Sequence, residues 1–366
     1  MSKSYLKGLN TLRFFAAFFV IIAHGNISLT KMGFDKFKDL PFFNRHGDAV
    51  EFFFTLSGFL ITYLLQKEIE QTGTISVRAF YLRRVFRIWP LYFLIVLAGF
   101  LILGVIYPRL SGQHFFEFSI LRGVLLFICF LPNLATALYP TGLLHPLWSI
   151  GVEEQYYLVW APLVKLFRKN VLTLAVIFFI ITYSWFYVLN NYRLPISPGI
   201  LTFLLFQKFY AMATGGIFGL ILSKYPQQYK NSIFATRLVQ VLILAIIAYY
   251  YFIGYPYFGG VMVHFLLSCL YGLLILNTVA SEKPVIGFEN RLFSWLGVIS
   301  YGLYMFHMLI DYFLRYIAGY LNLSKLPFPL ILIGYEVLLL GGAIFMAAIS
   351  YKYFESYFLR LKERYA

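Results

Sequence analysis

An arginine and a histidine stand eleven residues apart in one apolar stretch, "TLRFFAAFFVIIAHGN" (11–26). Neither Arg13 nor His24 is cheap to hold in hydrocarbon, where an ionisable group costs several kcal/mol unless it pairs or faces a polar cavity. Eleven residues of α-helix return to within ~20° of the starting face and rise ~16 Å. One helix face therefore offers a cation near one end and an imidazole, a candidate general base, near the other.

Four more stretches carry the same conflict. "HPLWSIGVEEQYYLVWAP" (145–162) places Glu153 and Glu154 together in apolar surroundings. Three uses are open to them: holding a histidine, binding a sugar hydroxyl, or pairing with arginine. "ISYGLYMFHMLIDYF" (299–313) aligns Ser300, Tyr304 and His307 at i, i+4 and i+7 on one helix face. "VRAFYLRRVFRIWPLYF" (77–93) gathers Arg83, Arg84 and Arg87 within about one turn. Each guanidinium offers a fork suited to phosphate, although a cytoplasmic anchor to lipid headgroups uses the same residues. "FFFTLSGFLITYLL" (52–65) sets Ser57 and Gly58 in mid-stretch, fit for close helix packing or for a hydroxyl facing a cavity.

Together these groups fit acyl transfer from a thioester to a hydroxyl. An anionic donor needs a cationic seat. The attacking hydroxyl needs a base whose pKa lies near 7, and the developing oxyanion needs donors. His24 and His307 compete for the role of base. Such chemistry requires no metal. Cys129 and Cys269 lie in apolar stretches without ligand or disulfide spacing.

The elements that must position these residues are membrane helices. Hydrophobic residues make up 61% of the 366, charged residues 12%, and mean hydropathy is +0.76. A soluble domain carries about 25% charge. The apolar runs are too continuous for the alternating strands of a β-barrel. We read about ten spans, near 9–28, 50–66, 85–107, 148–164, 171–190, 199–222, 238–256, 259–280, 292–315 and 328–353. The stretch "LRGVLLFICFLPNLATAL" (121–138) is read as a partial or re-entrant segment on the outer side. Of the 30 Lys and Arg, 19 fall on the side shared by both termini and 9 on the other, Arg13 and Lys208 lying within spans. This bias places both termini in the cytoplasm. It also accounts for the net charge of +15 without nucleic acid. Lys3 and Lys7 precede an apolar run that Arg13 interrupts, which reads as an uncleaved first span rather than a signal peptide. The expected architecture is a single all-α, multi-pass domain over 1–366, embedded in lipid, with no appended soluble domain.

In order along the chain, these five stretches resemble the bacterial acyltransferase-3 family of integral-membrane O-acyltransferases, over essentially the whole length. The resemblance implies a ten-span domain of the cytoplasmic (inner) membrane. It would acetylate a cell-surface or exported glycan, with acetyl-CoA as the cytoplasmic acyl donor; other short acyl groups fit the same chemistry. Carried over residue by residue, Arg13 and His24 match the family's first-span pair, His24 being the base. Arg83, Arg84 and Arg87 match the arginine motif at the donor side, and Ser57-Gly58 the Ser-Gly pair. Trp148, Ser149 and Glu153 match the Trp-Ser…Glu motif, with Ile150 where Leu is commoner. Ser300, Tyr301, Tyr304 and His307 match the late span. Near the end, "SYKYFESYFLRLKE" keeps Glu355 but has Ser356-Tyr357 where the family has Arg-Pro. A transporter or flippase for a glycan or lipid-linked sugar is the competing function. It would also hold Arg, His and Glu in a cavity, but it has no need of a phosphate seat, and no internal repeat is present.

Overall fold

A computed structural model describes residues 6, 8–34, 41–117, 119–254, 260–281, 285, 290–321 and 323–363. Lys3 and Lys7, part of the charge bias, lie outside the described residues. Among the described residues there are helices and no strands. The main ones are α1 (Leu9–Lys31), α2 (His46–Thr72), α3 (Val77–Leu101), α4 (Ile120–Ile128), α5 (Pro132–Leu138) and α6 (Leu147–Leu166). They continue with α7 (Val171–Asn191), α8 (Pro198–Phe206), α9 (Phe209–Lys224), α10 (Arg237–Phe252), α11 (Val261–Ala280), α12 (Arg291–Val298), α13 (Ser300–Ala318) and α14 (Phe328–Ser350).

Seven helical stretches are long and apolar enough to cross a membrane. They are α1, α2, α3 with its extension to Ser111, α7, α8 joined to α9, α11, and α14 with its extension to Leu361. The pair α12 and α13, bent by 69°, makes an eighth when taken as one span. The remaining two expected spans correspond to α6, diluted by its two glutamates, and α10. At 16 residues, α10 rises ~24 Å, short of a ~30 Å hydrocarbon core. The stretch 121–138 is broken at Phe130, whose φ of 55° ends one helix before α5 begins. Neither α4 nor α5, at 9 and 7 residues, reaches across a bilayer.

Small residues set the tightest helix contact. A Cβ at Gly58 would collide with the Met212 carbonyl, and one at Gly215 with the Thr55 carbonyl. The backbones of α2 and α9 therefore touch, as membrane helices do where side chains are absent. Sharp stops bracket the turn into α3. Gly73 takes φ 75° at the end of α2, and the Ser76 side chain caps the first turn of α3 by accepting from the Ala79 N–H. Between α1, α2, α3, α6, α13 and α14 lies a closely packed interior in which Ala17, Val20, Ile21, Phe54, Tyr92, Tyr156 and Trp160 are wholly buried.

Candidate active site

A cavity opens among α1, α2, α3, α6 and α13. Its polar wall comprises Arg13, Ser57, Arg84, Arg87, Ser149, Glu153, Tyr157, Ser300, Tyr301 and Tyr304; Val50, Phe53, Phe54 and Ile88 are among its apolar lining. Three guanidiniums face one carboxylate. Glu153 is held by the Ser57 hydroxyl, donating to Oε1 at 3.0 Å, and by the Tyr157 hydroxyl, donating to Oε2 at 2.6 Å. Arg84 lies over the rings of Phe80 and Tyr157, 5.6 Å from each centroid. Its buried Nε has no hydrogen-bond partner among the described residues. An orphaned donor of this kind calls for an acceptor, and a phosphate oxygen fits it.

Tyr304 is shared between this cavity and a pair of histidines. Its hydroxyl donates to the Pro146 carbonyl at 3.0 Å and shares a 2.9 Å bond with Ser149 Oγ. Its own carbonyl lies 2.6 Å from His307 Nδ1. His307 Nε2 in turn lies 3.1 Å from His24 Nδ1, with ring centroids 5.0 Å apart. The two histidines that compete on sequence grounds are thus partners. Two features of α-helix bring them together: His24 recurs on the Arg13 face of α1, and His307 lies on the Ser300–Tyr304 stripe of α13.

Of the twelve residues singled out in sequence, Arg13, Ser57, Arg84, Arg87, Glu153, Ser300 and Tyr304 line the cavity, and His24 and His307 form the adjoining pair. Three lie elsewhere. Arg83 pairs with Glu68 at 3.1 Å and ties the start of α3 to the end of α2. Glu154 accepts from Trp89 Nε1 at 3.1 Å. Trp148 stacks on Phe206 at 4.5 Å and meets Phe54 edge-on. Holding a histidine, one of the three uses open to the glutamates, is not the contact Glu154 makes here. Neighbouring residues project about 100° apart, so Glu153 takes the cavity and Glu154 turns to α3. The Ser-Gly pair serves both of its readings, Ser57 toward Glu153 and Gly58 against α9.

Several ionisable residues were not singled out as site candidates in sequence although their signal was present. Asp311 and Arg315 extend the α13 stripe at i+4 and i+8 from His307 as an ion pair 3.0 Å apart, with the Tyr335 hydroxyl donating to Asp311 at 2.8 Å. Glu336 presses on α1 at Gly25. On the face of α2 away from the cavity, buried Glu51 meets Lys208 Nζ at 3.0 Å and His264 Nδ1 at 2.8 Å. Asp48, Glu51 and His264 present ligand atoms within 4.8 Å of one another, and the Lys208 ammonium supplies a cation to that group.

A peptidoglycan O-acetyltransferase of Listeria monocytogenes, OatA, is 23% identical over 332 residues, covering 84% of this chain and 49% of its own length. The provisionally named peptidoglycan O-acetyltransferase YrhL of Bacillus subtilis is 23% identical over 83% of this chain and 48% of its own. An uncharacterized Haemophilus influenzae protein is 32% identical over 150 residues, 38% of this chain and 58% of its own. The chain spans about half the length of the curated relatives it matches. No solved structure matches. The transporter reading finds no support among these relatives. A family model described as an acyltransferase domain matches residues 6–348, and the chain therefore belongs to the acyltransferase-3 family.

Proposed function

We propose that this chain moves a short acyl group, acetyl in the first instance, from a coenzyme A thioester on the cytoplasmic side to a hydroxyl of an exported or cell-surface glycan. One observation carries this reading. Three arginines crowd a cavity around a single carboxylate, and the wall residue Tyr304 is bonded directly to buried His307, which pairs with half-buried His24. The guanidiniums of Arg13, Arg84 and Arg87 suit the phosphates of the donor. His24 is the general base. It takes the proton of the attacking hydroxyl as the new C–O bond forms, and returns it to the thiolate as the C–S bond breaks. Ser300 adds a hydroxyl to the cavity wall. The acceptor is a glycan of the peptidoglycan class, the substrate in the name of the Listeria relative.

In this reading the protein crosses the cytoplasmic (inner) membrane about ten times, with both termini inside. Residues 121–138 form a re-entrant pair of short helices on the outer side. The charge bias of 19 against 9 supports that orientation.

The test is release of free thiol from acetyl-CoA by protein purified in lipid nanodiscs, with and without a glycan acceptor. Loss of a general base costs roughly 10²–10⁴ in rate. His24→Ala should lose at least that much transfer while acetyl-CoA binding persists. Retention of more than about a tenth of the wild-type rate would remove His24 from the role of base.

A further inference from the structure

We propose that His307 is a positioning residue that fixes the tautomer of His24 through an uncharged relay anchored on the Tyr304 carbonyl. The hydrogen positions follow from the geometry in order. His307 Nδ1 lies 2.6 Å from the Tyr304 carbonyl oxygen. A carbonyl oxygen can only accept, so Nδ1 carries the hydrogen. The ring is wholly buried, and its two nitrogens meet a carbonyl and an imidazole, neither of them an anion. A buried charge without an anionic partner is costly, so the ring is neutral and its Nε2 presents a lone pair. That lone pair lies 3.1 Å from His24 Nδ1, which must then be the donor. A neutral imidazole carries one ring hydrogen. His24 Nε2 is therefore the nitrogen with the lone pair, and it is the atom that acts as base.

This assignment rests on the acyl-transfer reading above and sharpens it. Both nitrogens of His307 are committed to the relay, so His307 cannot itself receive the hydroxyl proton without breaking a bond. Once His24 Nε2 gains that proton, the hydrogen on its Nδ1 can shift toward His307 Nε2. The transient positive charge is then shared by the two imidazoles, while the Tyr304 carbonyl goes on accepting from His307 Nδ1–H. No heavy atom moves. Tyr304 holds the far end in place, because its hydroxyl is bonded to the Pro146 carbonyl and shared with Ser149. An imidazole in the orienting position avoids burying a second anion beside the base, whose desolvation would be expensive.

The test reads the tautomer directly and the rate separately. In the full-length chain, ¹⁵N-labelled at histidine and held in nanodiscs, His24 is assigned by difference from His24→Ala. The expected spectrum shows Nδ1 protonated and Nε2 unprotonated. In His307→Phe that preference is lost. Leaving a buried donor unsatisfied costs ~1–3 kcal/mol, so kcat falls roughly 10- to 100-fold while KM for acetyl-CoA holds. His307→Gln offers a side-chain carbonyl to His24 Nδ1–H, restores the tautomer and recovers most of that loss. A wild-type spectrum with His24 protonated at Nε2 overturns the proposal. So does a His307→Phe kcat within about twofold of wild type, or a Gln variant no better than Phe. Where the Phe variant fails to fold, the wild-type spectrum and the Gln variant decide. If the spectrum is as expected but His24→Ala keeps its rate, the relay stands and the role of His24 as base fails.

Discussion

Replacing Arg84 by lysine separates charge from geometry at the cavity. In the wild type its guanidinium stacks on Phe80 and Tyr157 and holds an unsatisfied Nε. Lysine keeps the charge, loses the planar face and offers no fork. A hydrogen bond to a charged group is worth ~1.5–3 kcal/mol. At ~1.4 kcal/mol per decade, Arg84→Lys should weaken acetyl-CoA binding roughly 10- to 100-fold. Arg84→Met removes the charge as well. Two unit charges ~4 Å apart attract by ~4 kcal/mol at an effective dielectric of ~20, so the loss should approach a thousandfold. Relief of repulsion from neighbouring Arg87 and Arg13 offsets part of it. Calorimetric titration of nanodisc-held protein with a thioether analogue of acetyl-CoA gives Kd without turnover. Binding should weaken with salt, and the salt dependence should be smaller in Arg84→Met. If Arg84→Lys binds within about threefold of wild type and Arg84→Met within about tenfold, both far short of these energies, the arginines do not seat the donor. The cluster would then be an anchor for lipid headgroups.

Other outcomes follow from the packing. Gly58→Ala drives a methyl group into the Met212 carbonyl and should cost ~1–3 kcal/mol, read as a lower Tm. Gly341→Ala, with no atom near its added Cβ, should instead gain ~0.5–1 kcal/mol from the helix preference for alanine. Lys208→Met strips buried Glu51 of its ammonium partner and should lower stability by ~3–5 kcal/mol, leaving acetyl-CoA affinity unchanged. The double variant Lys208→Met/Glu51→Leu should recover part of that loss, as seen by thermal unfolding. For orientation, an impermeant thiol reagent should label Gln113→Cys in intact cells and Lys169→Cys only after permeabilisation. Both positions are exposed, and the opposite pattern would reverse the two-sided reaction.

Helix periodicity makes part of the site readable from the chain alone. Arg13 and His24 recur on one face of α1, and Ser300, Tyr304 and His307 on one face of α13, because 3.6 residues per turn is a local property. The same rule extends the α13 stripe to Asp311 and Arg315, whose spacing carries the signal without naming their partners. Break points are legible as well: a polar "LPN" inside 121–138 coincides with the stop at Phe130.

Which side chain meets which is decided at another level, since it depends on how helices far apart in the chain are rotated against each other. Glu153 and Glu154 are neighbours of identical type in identical surroundings, and only the docking of α6 between α2 and α3 sends one to the arginine cavity and the other to Trp89. Arg83 and Arg84 are likewise adjacent, yet one closes an ion pair with Glu68 and the other faces the cavity. His24 and His307 are 283 residues apart. Composition and periodicity could place each of them in a span and could not tell rivalry from partnership. That distinction required the contact of α1 with α13, where a 3.1 Å bond makes the two candidate bases partners.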